Sequence, residues 1–364
     1  MKIVEVTNYL ESLAPLEYQE SYDNSGLIVG DKNAEVTGIL LCLDSIEAVV
    51  EEALAKECNL VVAHHPIVFS GLKKITGRNY IERTIIKAIK SDVAIYAIHT
   101  NLDNMKHGVN AEISKRLGLQ NTQILVPKKM TLKKLHTFCP QGKADAVRQA
   151  MFAAGAGQIG DYENCSFNVE GTGTFKAVEG ANPYVGEVGE EHREAETRIE
   201  VVFSNDKQRS VVGALLNAHP YEEVAFDIVA LENEHPGIGS GMVGNLPVAM
   251  DEMEFLAQLK STMKAGSVRY TNLRRKKVSR VAVCGGSGSF LLEPAVRSGA
   301  DVFVTADYKY HQFFDAENRV VIADIGHFES EQFTMDLLGG FLNEKFPKFA
   351  VHLSETKTNP INYL

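Results

Sequence analysis

The chain has 364 residues, 45% hydrophobic and 23% charged, with a formal net charge of −10. This is globular composition at a length that allows two or three domains, and the acidic balance argues against nucleic acid as a partner. No run reaches the length of about 18 apolar residues that a membrane span needs. The opening MKIVEVTNYLESL reads as an amphipathic helix of the fold, not a leader peptide. The cysteines (Cys42, Cys58, Cys139, Cys165 and Cys284) are scattered, odd in number and without CxxC spacing. That usage predicts a reduced, cytoplasmic setting and speaks against a thiolate metal site.

In chain order, the apolar run 37–43 predicts a buried strand and 45–57 a helix capped by Ser45. Residues 59–63 predict a second strand, which stops at His64-His65-Pro66. A basic helix follows near 79–91, then a strand at 93–98 that ends at His99. Short links between strand, helix and strand predict a parallel sheet with right-handed crossovers.

The middle of the chain changes character. Strands are predicted at 132–139, 165–170, 172–177, 197–203 and 223–231, with helices at 142–155 and 205–218. The order is close to βαββαβ, the ferredoxin-like arrangement, with one extra strand pairing. Residues 179–196 read as a solvated loop, and Gly237, Gly239, Gly241 and Gly244 as a flexible return. Residues 129–246 are therefore expected to form an inserted α+β domain, with 1–128 and 247–364 together forming the main one.

The last stretch repeats the first. Strands are predicted at 278–284, 301–306 and 319–325, with a helix near 290–298. LLCLDSIEAVVEEALAKECNLVVAHH and VAVCGGSGSFLLEPAVRSGADVFVTAD share one rhythm of strand, turn, helix, link and strand. The expected fold class is α/β, with two similar α/β halves forming one metal-binding domain around the insertion.

Ligands in open parallel α/β sheets bind beyond the carboxyl ends of strands. Here predicted strands end at His64-His65, at His99 with Asp103, and at His327 with Glu331; Asp307 and His311 follow a fourth. Pro66 stops its strand at once, so both preceding imidazoles can turn toward one opening. His327 and Glu331, spaced i, i+4, share a face if a helix starts near Phe328. His64, His65, Asp103, His327 and Glu331 are the candidate metal ligands. A nitrogen and oxygen set without sulfur suits Zn²⁺ first, with Fe²⁺ or Mn²⁺ as alternatives. Five protein ligands over two ions would leave positions open, as catalytic sites require. Alone, an HxxxE pair is more often a surface ion pair and a strand-end histidine a structural one. The convergence of strand ends favours the site.

Other features are weaker. His311, with Lys309, is the candidate acid/base group beside the metals, although DYKYH can equally begin a loop. CGGSGS (284–289) reads as a tight turn before an anion cradle, since it lacks a P-loop ending. Lys73, Lys74, Arg78, Arg83, Lys87 and Lys90 form either a phosphate-attracting patch or a solvated helix face. His219-Pro220-Tyr221-Glu222-Glu223 reads as a helix-to-strand turn.

YDNSGLIVG (22–30), LCLD (41–44), VVAHHP (61–66), HTNLD (99–103), CGGSGS (284–289), TADYKYH (305–311) and IGHFESE (325–331) together resemble the signature blocks of the NIF-three-like family. Its members are also labelled GTP cyclohydrolase type 2 homologues or dinuclear metal centre proteins. EGANPYVGEVG and HPYEEVAFDIV are similar to the PII-like insertion of its longer bacterial forms. The resemblance implies two divalent ions on the five ligands named above and a toroidal homo-hexamer. It also implies a metal-dependent hydrolase, with GTP or another nucleotide as substrate. A non-catalytic metal- or ligand-responsive oligomer is the alternative. The chain reads Thr305-Ala306-Asp307 where relatives commonly read TGD, so a glycine-dependent anion contact there is in doubt.

Overall fold

Strands take up the apolar runs. In the computed structural model, which describes residues 1–364, they are β1 (Gly26–Val29), β2 (Ile39–Asp44), β3 (Leu60–His65), β4 (Ala94–Ala97), β5 (Gln120–Pro127), β6 (Leu132–Pro140), β7 (Ser166–Lys176), β8 (Glu191–Ser204), β9 (Phe226–Leu231), β10 (Gly239–Asp251), β11 (Arg269–Tyr270), β12 (Lys277–Ser287), β13 (Val302–Ala306), β14 (Val321–Asp324) and β15 (Val351–Leu353). The chain divides into two units, Met1–Pro127 together with Pro236–Leu364, and Lys128–His235.

The first unit holds two sheets. One has the order β1-β4-β3-β2-β15, parallel except for β1. The other has the order β11-β14-β13-β12-β10-β5, in which β12, β13 and β14 run parallel and their neighbours antiparallel. Each sheet thus carries three successive parallel strands with a short antiparallel strand at the corresponding edge.

Strand alternation explains why these runs are apolar without interruption. Ile39, Leu41, Val62 and Tyr96 enter one core with Val281, Val283, Val302 and Val304 of the other sheet. The helices Val109–Arg116, Glu252–Thr262 and Thr334–Lys345 add Ile113, Phe255, Leu259, Leu338 and Leu342 to it. Leu40, Cys42, Val61 and Ile95 face the opposite way, onto helices Glu47–Ala55 and Tyr80–Lys90. Ala282, Phe303 and Ile322 do the same on the second sheet, against Leu291, Leu292 and Ala295. No helix is long and apolar enough to cross a membrane.

The glycines at 237–244 are not a flexible return. From Gly239 onward they lie in β10, paired with β5 and β12 in the first unit. Glycine serves close approach here, because a Cβ at Gly239 would lie 2.2 Å from the Val126 carbonyl oxygen.

In the second unit, β6–β9 form one antiparallel sheet in the order β7-β8-β6-β9. Helices Ala144–Ala153 and Gln208–Ala218 cover one face, placing Val147, Met151, Val211 and Leu215 on Leu135, Ile199 and Val201. Along the chain this is strand–helix–strand–strand–helix–strand. The two strands expected at 165–170 and 172–177 are a single strand: Gly171 and Gly173 stay in register with Glu196 and Glu194, so no break occurs. β8 starts at Glu191, which shortens the loop expected to reach 196.

Candidate metal centre

The first unit gathers the five candidate ligands from three places. His64 and His65 end β3, and Pro66 stops the ladder after them. His99 follows β4 and stands before the one-turn helix Thr100–Asp103, whose last residue is Asp103. β14 leads through Gly326 into the short helix His327–Glu331. All are carboxyl ends of parallel strands, where the sheet leaves backbone and side chains pointing into open space.

Two donor sets meet on Glu331, which is 3% exposed. Its Oε2 lies 2.9 Å from His65 Nε2 and 3.1 Å from His327 Nε2, and these nitrogens are 3.2 Å apart. Its Oε1 lies 3.8 Å from His64 Nε2, which in turn is 3.7 Å from Asp103 Oδ1. Donors bonded to one cation at about 2.1 Å stand about 3.0–3.4 Å from each other, so the first set matches that spacing and the second is slightly wide.

The second set shows the clearest sign of a missing partner. His64 Nε2 and Asp103 Oδ1 are both buried and neither has a hydrogen bond. A buried polar atom left unpaired is costly, and a cation between these two would satisfy both. The His64, His65 and Glu331 donors all lie within 4.8 Å of one another, a cluster that can hold a metal ion.

The other ring nitrogens are all engaged. His64 Nδ1 donates to the Ile98 carbonyl at 2.8 Å, His65 Nδ1 to Asp44 at 2.8 Å and His327 Nδ1 to Asp307 at 2.6 Å. Carbonyls and carboxylates can only accept, so each Nδ1 carries a proton and each Nε2 is left for the shared space, the usual outer partnership of metal-binding imidazoles. Asp44 sits beside His65 because the parallel register pairs these residues across β2 and β3. Thr358 in turn donates to Asp44 at 2.8 Å. The sequence reading missed these orienting roles. A carboxylate closing an apolar strand, as in LLCLD, is the signal that marks Asp44.

Charges follow from this packing. Burial opposes a charge on His65, but Asp44 and Glu331 outweigh it and raise the imidazole to about 9. Burial also opposes charge on His327, and Glu331 and Asp307 raise it to about 11. Glu331 stays well below the usual carboxylate range: burial pushes it up, and the charge and hydrogen bond of His327, with His64 and His65, pull it down further. Burial lowers His64, and burial with the Glu331 charge raises Asp103. With no cation bound, protons hold the His65 and His327 side of the site.

Glu331 reaches this position past a glycine. Gly286 has φ +60°, and a Cβ there would lie 2.4 Å from Glu331 Oε1. The Gly285 amide donates to Asn110 at 3.0 Å and the Gly286 amide to Ser330 at 2.9 Å. These two amides are spoken for inside the fold, and the glycines make room for the carboxylate. Cys284 beside them is a neutral thiol, pushed up by burial.

His99 joins the site in a different capacity. Its Nδ1 donates to Asp23 at 2.7 Å, and Asp23 also accepts from the Thr100 amide at 3.0 Å and from the Thr100 hydroxyl. Burial pushes Asp23 up, but these bonds outweigh it and hold the carboxyl well below its usual range. His99 lines a cleft of about 520 Å³ together with His65, Asp103, His327 and Glu331. Four rings, Tyr22, Phe69, Phe290 and Phe328, form part of its wall, and no lysine or arginine lines it.

Some sequence candidates lie elsewhere. His311 is exposed, packs against Tyr310 and Phe314, and does not line the cleft; nor does Lys309. The basic residues 73–90 do not line it either. Arg78 pairs with Glu82 at 3.0 Å, Arg83 with Glu47 at 2.8 Å, and Lys87 with Glu51. His219 donates from Nε2 to the Phe138 carbonyl at 2.9 Å in the second unit.

Known proteins bear on this arrangement. The profile described as Duf34/NIF3 (NGG1p interacting factor 3) matches residues 1–360. A Bacillus subtilis strain 168 protein called "GTP cyclohydrolase 1 type 2 homolog" is 38% identical over 367 residues, covering 99% of this chain and 98% of its own. A Halalkalibacterium halodurans protein of the same name is 37% identical over 364 residues, covering 99% and 98%. Among solved structures, a Bacillus cereus protein related to NIF3 superposes with a TM-score of 0.86 at 37% identity, covering 100% of this chain and 99% of its own. Staphylococcus aureus protein SA1388 does so with a TM-score of 0.79 at 31% identity, covering 100% and 99%. With its profile, its relatives and its fold in agreement over nearly every residue, the chain belongs to the DUF34/NIF3 family.

Proposed function

We propose that this chain holds two divalent cations and hydrolyses a small, flat substrate beside them. The observation that carries the reading is the pair of oxygens on Glu331, each facing its own donors. His65 and His327 stand at Oε2, while the unpaired His64 Nε2 and Asp103 Oδ1 stand at Oε1. Zinc suits this set first, with iron or manganese as alternatives. When bound, such cations supply Lewis acidity toward an electrophilic carbon or phosphorus and toward water.

The chain's own groups would do the remainder. His99, fixed by Asp23, can hold or deliver a proton at Nε2, a better-placed group for this than His311. Tyr22, Phe69, Phe290 and Phe328 offer faces for a planar ring. GTP, named in the relatives' label, is the first substrate to test, and its purine suits these walls. Its triphosphate finds no lysine or arginine in the cleft, so neutral cyclic amides and heterocycles belong in the same panel.

The second reading is a non-catalytic, metal- or ligand-responsive oligomer, which a separate cavity in the second unit favours. A homo-hexamer and a PII-like character for residues 129–246 belong to the proposal on the strength of the family resemblance, as does a duplicated origin for the two sheets of the first unit. The deciding experiment combines elemental analysis, sedimentation and a hydrolase panel on the purified chain and on His65→Ala. Two metal equivalents per chain and turnover lost in the variant with the oligomer retained would support the hydrolase. A metal-loaded chain inert toward the whole panel would favour the second reading, and a chain that takes up no divalent ion would end both.

A further inference from the structure

A cavity of about 650 Å³, larger than the cleft at the metal centre, lies wholly within the second unit. Its floor is the sheet face that the two helices leave open. Strand alternation turns Phe138, Glu196 and Arg198 toward it, while Leu135, Ile199 and Val201 fill the core behind. On β7, Gly171 and Gly173 lie beside Glu196 and Glu194, so this part of the floor carries no side chain. Glu196 uses that space: a Cβ at Gly173 would lie 2.1 Å from its Oε2.

Glu196 is a carboxylate only 8% exposed at a cavity wall. Its Oε1 accepts from the Tyr221 hydroxyl at 2.7 Å. The rings of Tyr184 and Phe175 stand 6.2 and 6.3 Å from that of Tyr221, so aromatic faces surround the carboxylate. The Asn182 amide donates to Glu222 at 2.9 Å, which ties the loop bearing Tyr184 to the turn bearing Tyr221.

The charge in the lining selects the occupant. Glu170, Glu196, Glu222 and Glu223 face one cation, Arg198, whose guanidinium is already bonded to Glu200 at 2.9 Å. An anion would be repelled, and a neutral molecule would leave a largely buried carboxylate without a counter-charge. A cation on an apolar body would satisfy the carboxylate and the aromatic faces together. We propose that this cavity binds a small organic cation, an amine or guanidine on an aromatic or aliphatic body, with its charge on Glu196 and its body against Tyr184, Tyr221 and Phe175.

The test is calorimetric titration of the full chain with phenethylammonium and phenylguanidinium, beside the neutral 2-phenylethanol and the anionic phenylacetate. The cations should bind about tenfold or more tighter than the alcohol, and phenylacetate should not bind. Glu196→Gln keeps an acceptor for Tyr221 and should weaken the cations about tenfold. Tyr184→Ala, a change in an exposed loop, should weaken them about threefold. Equal binding of alcohol and cation, unchanged affinity in Glu196→Gln, or no binding of either cation at millimolar concentration would overturn the assignment. Loss of self-association in Tyr184→Ala, with no cation bound by the parent chain, would give this face to a second copy and overturn it as well.

Discussion

Loading the metal-free chain with zinc at pH 7 should expel about two protons, and their source can be named. A pair of ordinary imidazoles, with pKa near 6.5, would be about one quarter protonated each and release about half a proton in total. His65 and His327 are raised to about 9 and about 11, so both are protonated at pH 7. Each must shed that proton before its Nε2 can ligate, which gives about two. His64, lowered by burial, adds less than an ordinary imidazole. Apparent affinity should therefore rise about 100-fold per pH unit below pH 9, and about tenfold per unit from there toward 11. Calorimetry in buffers of different ionisation enthalpy reads the proton count directly. Release of half a proton, or equal affinity at pH 7 and pH 8, would refute the linkage of these imidazoles to Glu331, Asp44 and Asp307.

Further expectations concern stability and positioning. For the chelated protein, the His65 and His327 contributions are complete below the unfolded imidazole pKa near 6.5 and are lost as pH rises through about 9 and then about 11. The Glu331 contribution is present above the ordinary carboxylate value of 4.5 and is lost as pH falls below it toward the depressed native value. Thermal midpoints should accordingly peak between these limits, and a flat profile from mildly acidic to strongly alkaline pH would contradict the ion pairing. Gly286→Ala places a Cβ 2.4 Å from Glu331 Oε1 at φ +60°. It should cost about 1–3 kcal/mol by denaturant titration and lower metal content. Asp23→Asn should leave metal stoichiometry intact, change the imidazole nitrogen shifts of His99 and cut any turnover about 100-fold. Phe303→Ala, at a side chain with no exposure in β13, should cost about 3–5 kcal/mol in chemical unfolding.

Much of the first unit was legible because its strands are buried on both faces. Runs such as LLCL, LVVA and DVFVTA have no polar alternation to confuse with another element. The strand ends were legible for the same reason, since a sudden histidine or carboxylate after such a run has little to do but face the opening. Glycine was harder to read. Gly171 and Gly173 look like breakers yet sit in a continuous strand beside the Glu196 carboxylate, and Gly239 looks like a hinge yet pairs within a sheet. Close approach of another chain segment is a tertiary fact that local pattern does not carry. His311 lies near the strand end in sequence but not in the cleft wall. It follows β13 by a few residues, but the chain turns away through a 3₁₀ segment, Tyr310–Ala316, that leaves the ring exposed. The partner of His99, Asp23, lies 76 residues away and could not be found by spacing alone.

The Glu331 carboxylate meets an imidazole that precedes it by 266 residues. During synthesis His64 and His65 emerge early and must wait, without their shared counter-charge, until residue 331 has left the ribosome. The proposed cation capture would thus await Glu331: a message cut short before it yields a product lacking the one group that joins both donor sets.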